Sequence, residues 1–228
     1  MQIPTSLFII PDRNRTWAKA MQLPAMQGHT KGAENSRKII HAAFEAGVEY
    51  VTFWAASELN LQKRESVEIR HLLKLLKEEI NYRLKSSEEI RFRLIGNWQK
   101  YCQDPELQTL AEQLQNKTAE FTKKHLTILF GYSGRTELIE AFNKALDAKE
   151  KVTVQSIRQY FSTGFMPDLD LVIRTGVKDD LHWSDWALLL QMGNAVIYPC
   201  SKYWPDFSTK DLGDAFKYYG NHPRKLGA

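Results

Sequence analysis

The chain has 228 residues, 43% of them hydrophobic, enough for one well-buried core, and no low-complexity linker divides it, so residues 1–228 read as a single domain. With 31 basic against 27 acidic residues the formal charge is only +4, too balanced for a protein that coats nucleic acid, though compatible with a small anionic ligand. Cys102 and Cys200 offer neither metal-ligand spacing nor a disulfide framework, and no apolar run nears ~20 residues, so a cytoplasmic protein is expected rather than a secreted or membrane-spanning one.

Taken in chain order, an apolar run at 7–10 reads as a strand, followed by Pro11 and a polar turn that opens a helix. Helical periodicity then spans 31–46, a second strand 50–54, a long helix 64–83 and a third strand 90–95. A helix at 105–123, a strand at 126–130 and helices at 135–148 and 154–161 follow, and strands at 171–173 and 195–198 close the series. Near-continuously apolar strands alternating with amphipathic helices predict an α/β fold: a central, mostly parallel six-stranded sheet wrapped by helices. In such sheets ligands collect outside the carboxyl ends of the strands, so the residues just after each run carry the functional signal.

Those residues are unusually polar. Asp12-Arg13-Asn14-Arg15-Thr16-Trp17 follows the first run, Ala55-Ala56-Ser57-Glu58-Leu59-Asn60 the second, Gly131-Tyr132-Ser133-Gly134-Arg135 the fourth and Arg174-Thr175-Gly176 the fifth. A helix start leaves unpaired N–H groups and a positive dipole end, a ready anion site, although the dipole alone is worth at most ~2 kcal/mol. Guanidinium forks from Arg13 and Arg15 would strengthen it, and Asp12 suits Mg²⁺, which takes one or two carboxylates plus phosphate oxygens. Taken alone, the junction reads equally as a solvated loop with a capping aspartate. No glycine-rich dinucleotide fingerprint or Walker-type loop occurs.

In series, the strand-end motifs resemble the cis-prenyltransferase family of undecaprenyl diphosphate synthase type, from about Leu7 to Gly227. Asp12-Arg13-Asn14-Arg15-Thr16-Trp17-Ala18 is similar to that family's Asp-Gly-Asn-(Gly/Arg)-Arg-Trp-Ala signature, with Gly28-His29 and Lys31-Gly32 at similar spacing. Ser57-Glu58-Leu59-Asn60, with Lys63 and Arg64, resembles its Ser-x-x-Asn-x-x-Arg segment. Asp170 to Gly176 resembles its Asp-Leu-Val-Ile-Arg-Thr-Gly strand, and Tyr203-Trp204-Pro205-Asp206-Phe207 completes the match.

The resemblance implies Mg²⁺-dependent condensation of an allylic diphosphate with isopentenyl diphosphate, giving a cis double bond and pyrophosphate. On that basis Asp12 would bind the metal and assist the leaving group, while Arg13, Asn14, Arg15 and Trp17, with Arg64, sit on the substrate side. His29 is open to either diphosphate contact or packing. Arg174 would grip isopentenyl diphosphate, with His182 and Ser184 nearby, and Ser57 and Asn60 would lie near the carbon losing its proton. Leu72, Leu73, Leu75 and Leu76 fall where the family places an apolar tunnel beside the sheet. A homodimer is implied too; the composition leaves peripheral membrane contact open, and the charge balance gives no nucleic-acid partner.

Several positions depart from the family pattern. Arg13 replaces a glycine, Ala25 a diphosphate-binding arginine, Leu59 an acidic residue and Val196 a glutamate linked to metal binding. Asp179, Asp180 or Asp185 are candidates for a substitute carboxylate, and Lys225 stands where the terminal motif has an arginine. These departures keep two alternatives in view: a catalytically degenerate diphosphate-lipid-binding or supporting subunit of a mixed dimer, and an irregular short-chain condensing enzyme.

Overall fold

A computed structural model of the chain describes residues 2–178 and 182–222. Its strands are β1 Ser6–Ile10, β2 Tyr50–Ser57, β3 Ile90–Ile95, β4 Lys124–Tyr132, β5 Leu171–Thr175 and β6 Val196–Cys200, in the order β3-β4-β2-β1-β5-β6. Every neighbouring pair is parallel, so the sheet is wholly parallel where the sequence suggested a mostly parallel one. β1 has β2 on one side and β5 on the other, and the direction of winding changes there. Such a switch point splays the connections and leaves a crevice at the carboxyl ends of the strands.

The helices are α1 Asn14–Ala20, α2 Ala25–Glu45, α3 Glu58–Lys63, α4 Ser66–Lys85, α5 Pro105–Lys117, α6 Gly134–Ala148 and α7 Thr209–Asn221. Alternation along β1 sends Leu7 and Ile9 into one core, with Ile39 and Ile40 of α2 and Leu72, Leu76 and Ile80 of α4. Phe8 and Ile10 enter a second core on the opposite face, with Trp54, Val172 and Leu188. Both faces are therefore covered, which explains the continuous apolar runs.

Three expectations about helices need correction, and one helix was not expected. The segment 154–161 is no α-helix but a short 3-10 turn at Ile157–Tyr160. Thr153 and Ser156 bond each other's backbone N–H groups through their hydroxyls, and such local bonds compete with helix formation. The helix expected to reach residue 123 stops at Lys117, where the Thr118 hydroxyl donates to the Leu114 carbonyl and accepts from the Phe92 N–H of β3. α2 starts earlier than 31, at Ala25, because Gly28 is a packing residue rather than a break. α7, unforeseen, starts at a capping box in which Ser208 and Asp211 satisfy each other's backbone.

Cys102 and Cys200 are buried and unpaired. Among the described residues no helix is long and apolar enough to cross a membrane.

Candidate active site

A cavity of about 590 Å³ opens at the carboxyl ends of β1, β2 and β5. It is lined by Asp12, Arg13, Asn14, Arg15, His29, Ser57, Asn60, Arg64, Arg174, His182 and Ser184, so the expected residues converge from four separate stretches of chain. Trp17 is the exception: it does not line the cavity, and its indole N–H donates to Asp206 at 2.8 Å.

Asp12 is fixed by its backbone. Its N–H donates to the Thr175 hydroxyl at 2.9 Å, and its carbonyl accepts from the Trp204 N–H at 3.1 Å. Its carboxylate Oδ2 accepts from Arg174 Nε at 3.0 Å. Burial pushes the Asp12 carboxyl above its ordinary 3.8, against the pull of the Arg174 guanidinium. Arg174, itself buried on β5, also donates to the His182 carbonyl and lies 3.3 Å from His182 Nε2.

Arg13 caps α1 with φ at 75°, in the left-handed region where a side chain costs about 1 kcal/mol and glycine costs nothing. Its side chain lies across Gly176, so closely that a Cβ there would fall 2.1 Å from Arg13 Cγ, and its Nε donates to the Gly176 carbonyl at 3.3 Å. Arg13 therefore forms the rim of the cavity on the β5 side. Asn14 donates to the Pro11 carbonyl, while its buried Oδ1 has no hydrogen-bond partner. Gly28 and Gly32, one turn apart on α2, make room for this corner: a Cβ at either would come within 2.2 Å of an Asn14 oxygen.

On the opposite wall a single carboxylate gathers three basic groups. Glu68 on α4 meets His29 Nε2 at 2.8 Å, Arg64 Nε at 3.0 Å and Arg15 Nη1 at 3.8 Å. The Arg64 approach is off the line of a hydrogen bond, and its buried Nη1 has no partner, which leaves donors for an anion. Burial pushes the His29 imidazole below its ordinary 6.5, with the neighbouring Arg64 and Arg15 adding to the effect and Glu68 opposing it. Ala25, where the resemblance predicted an arginine, lies four residues before His29 and so on the same face of α2.

β2 is irregular between Trp54 and Ser57, and its end leads directly into α3, which Ser57 caps by accepting from Asn60 N–H at 3.1 Å. Asn60 and Leu59 line the cavity, whereas Glu58 is buried and accepts from the Thr136 hydroxyl at 2.6 Å. Glu58 therefore does not stand in for the acidic residue missing at Leu59. Trp54 also lines the cavity, and its buried indole N–H is unpartnered.

Among the described residues two carboxylates line the cavity itself, Asp12 and Asp185, and Asp185 Oδ2 is buried without a hydrogen-bond partner. Both are oxygen donors of the kind Mg²⁺ takes, while among the described residues no group of three or more potential metal ligands gathers. Val196 opens β6 opposite Leu171, at the end of the sheet away from the cavity. Asp179, Asp180 and Lys225 lie outside the described residues.

Glu68 and Trp54 were not singled out from sequence. For Glu68 the signal was present, since it follows Arg64 by four residues at the start of a helix.

A second, narrow cavity of about 90 Å³ leads off beside Asn14 and His29, between α2, α4 and the sheet. Its walls include Leu72, Leu75 and Leu76, as well as Phe53, Ile128 and Trp204, so an apolar slot lies beside the sheet as expected. Leu73 points elsewhere, into a groove shared with Tyr101 and Leu107.

The chain matches the family model described as "Putative undecaprenyl diphosphate synthase" over residues 10–227. An isoprenyl transferase of Fusobacterium nucleatum is 33% identical over 226 residues, covering 99% of this chain and 96% of that protein. The isoprenyl transferase of Agrobacterium fabrum is 35% identical, with 99% and 93% covered. Among solved structures, lavandulyl diphosphate synthase of Lavandula x intermedia, in complex with dimethylallyl diphosphate, superposes with a TM-score of 0.87 at 26% identity, covering 99% of this chain and 98% of that one. With strand-end motifs, cavity and full-length matches in agreement, this chain belongs to the undecaprenyl diphosphate synthase family of isoprenyl transferases.

Proposed function

We propose that this protein is a cis-prenyltransferase. It joins C1 of an allylic diphosphate to C4 of isopentenyl diphosphate, releases pyrophosphate from the allylic carbon and loses a proton from the isopentenyl C2, leaving a new cis double bond. The observation that carries this reading is the pairing of Asp12 with Arg174 on one wall of a cavity whose other wall gathers Arg15, His29 and Arg64. Two anionic headgroups need two cationic cradles, and a wholly structural cavity would not leave buried guanidinium donors unpartnered.

In this reading Arg15, Arg64 and the first N–H groups of α1 hold the allylic diphosphate, with Asn14 at the corner. Arg174 grips the second diphosphate, positioned by the carbonyl of His182 and flanked by Ser184. Asp12 and Asp185 are the oxygen donors for Mg²⁺, which would stabilise charge on the phosphate oxygens of the departing group. Asn60, anchored by the Ser57 cap, faces the site of proton loss.

The reading extends to assembly and location. Ile139, Phe142 and Leu146 stand 60%, 62% and 60% exposed on one face of α6, an apolar stripe suited to a homodimer contact. A cytoplasmic protein touching the membrane peripherally would deliver its lipid product there.

Purified protein with labelled isopentenyl diphosphate, Mg²⁺ and a set of allylic primers, beginning with dimethylallyl diphosphate, should yield extractable prenyl products. Asp12→Ala should lower turnover about 10²-fold or more with an unchanged melting profile. Absence of extension with every primer would instead favour the degenerate, lipid-binding alternative.

A further inference from the structure

At its far end the apolar slot meets a charged residue, Glu79. Running down α2 its wall is His29, Ala33, Ser36 and Ile40, and running down α4 it ends at Glu79. Two polar rungs tie these helices across it: His29 to Glu68 at 2.8 Å beside the main cavity, and Arg37 Nε to Glu79 Oε2 at 2.6 Å deeper in. Arg83 Nε grips the other Glu79 oxygen at 2.6 Å, and the Arg37 guanidinium lies 4.8 Å over the Tyr82 ring. The Glu79 side chain is only 15% exposed, so a buried carboxylate clamped by two guanidinium groups meets whatever fills the slot.

Distances along the helices bound that filling. At about 1.5 Å rise per residue, the rungs are roughly 12 Å apart along α2 and roughly 16 Å along α4. An isoprenoid unit adds four carbons to the chain backbone, about 5 Å when extended at ~1.5 Å per bond.

We propose that the Arg37–Glu79–Arg83 clamp is the floor of the hydrocarbon slot and restricts this protein to short prenyl chains, of about two or three isoprenoid units. An apolar tail offers the clamp no hydrogen bonds, and pushing past it would strip buried ions of their partners. Each added unit gains apolar contact until the tail reaches the clamp, after which further units have nowhere favourable to go. The proposal rests on the allylic substrate occupying this slot, as in the reading above, but not on catalysis.

Binding therefore tests it independently of turnover. Allylic thiolodiphosphates of one to five isoprenoid units would be titrated in Mg²⁺, following quenching of tryptophan fluorescence, since Trp204 lines the slot. Affinity should rise about tenfold or more per unit as apolar surface is buried, then stop rising at the third. In Arg37→Leu/Glu79→Leu the break should move up by at least one unit. Should that double variant fail to fold, Arg37→Met at the slot's more exposed side and Ser36→Phe in its wall serve instead, moving the break up and down respectively. Affinity climbing unbroken through five units, or a break that none of the variants moves, would overturn the proposal. So would long-chain products from the unmodified protein, which would leave the catalytic reading standing. A chain-length break in a protein that condenses nothing would do the reverse.

Discussion

His29 sits among an acid and two arginines, and its titration has a measurable consequence. Because its imidazole is held below the ordinary 6.5, the unfolded chain takes up a proton before the folded protein does as the medium is acidified. Stability contributed by this site is complete above 6.5 and is lost as pH falls from there through the lowered folded-state value. His29→Gln should flatten that part of the curve: chemical denaturation across the mildly acidic range should show a shallower fall for the variant, and parallel curves would refute the assignment. At this same scale the sequence was uneven in what it disclosed. Asp12, Asn14 and Arg174 were legible as cavity residues because polar residues directly after apolar runs have few structural reasons to be there, whereas His182 came only with the family resemblance. Glu79 was not legible, because an acid on an amphipathic helix looks like its solvated face, and only the packing of α4 on α2 turns it inward.

At the scale of elements, the corner where α1 meets α2 controls access to both cavities. Gly32→Ala would place a methyl 2.2 Å from Asn14 Oδ1 and 3.1 Å from the Trp204 ring, and neither neighbour is free to retreat far. We expect a loss of about 1–3 kcal/mol in unfolding free energy together with weaker allylic-diphosphate binding, measured by denaturant titration and by the fluorescence assay. Unchanged values would show that α1 can shift without cost. The strands were readable because burial on both faces writes them as apolar runs. α7 was not, although Leu212, Ala215, Phe216 and Tyr219 keep helical spacing, since Gly213 and Gly220 interrupt the pattern. The 154–161 segment misled in the opposite direction, its spacing overruled by hydroxyls that bond the local backbone.

For the whole molecule, the outward stripe of α6 sets a test of assembly. Phe142→Glu would place a charge in the centre of the proposed contact and should convert a dimer to monomers in sedimentation velocity, with the melting temperature of the monomer's own core little changed. A wild-type protein that sediments as a monomer at micromolar concentration would remove α6 from that role. The all-parallel sheet was foreseeable in kind from the alternation of strands and helices. Strand order was not, because it depends on which crossovers fold to which side of β1, a choice left to packing between residues far apart in sequence.

The bond between Asp12 and Arg174 also gives the cavity a form of discretion. While acid and base satisfy each other, a bare phosphate drifting in finds that corner already neutralised and must compete with a carboxylate for the guanidinium. Under the proposed function, a pyrophosphoryl ligand carrying a dication would offer both partners replacements at once. Screening against metal-free phosphates would thus come from a single intramolecular contact, before any substrate is recognised by its hydrocarbon.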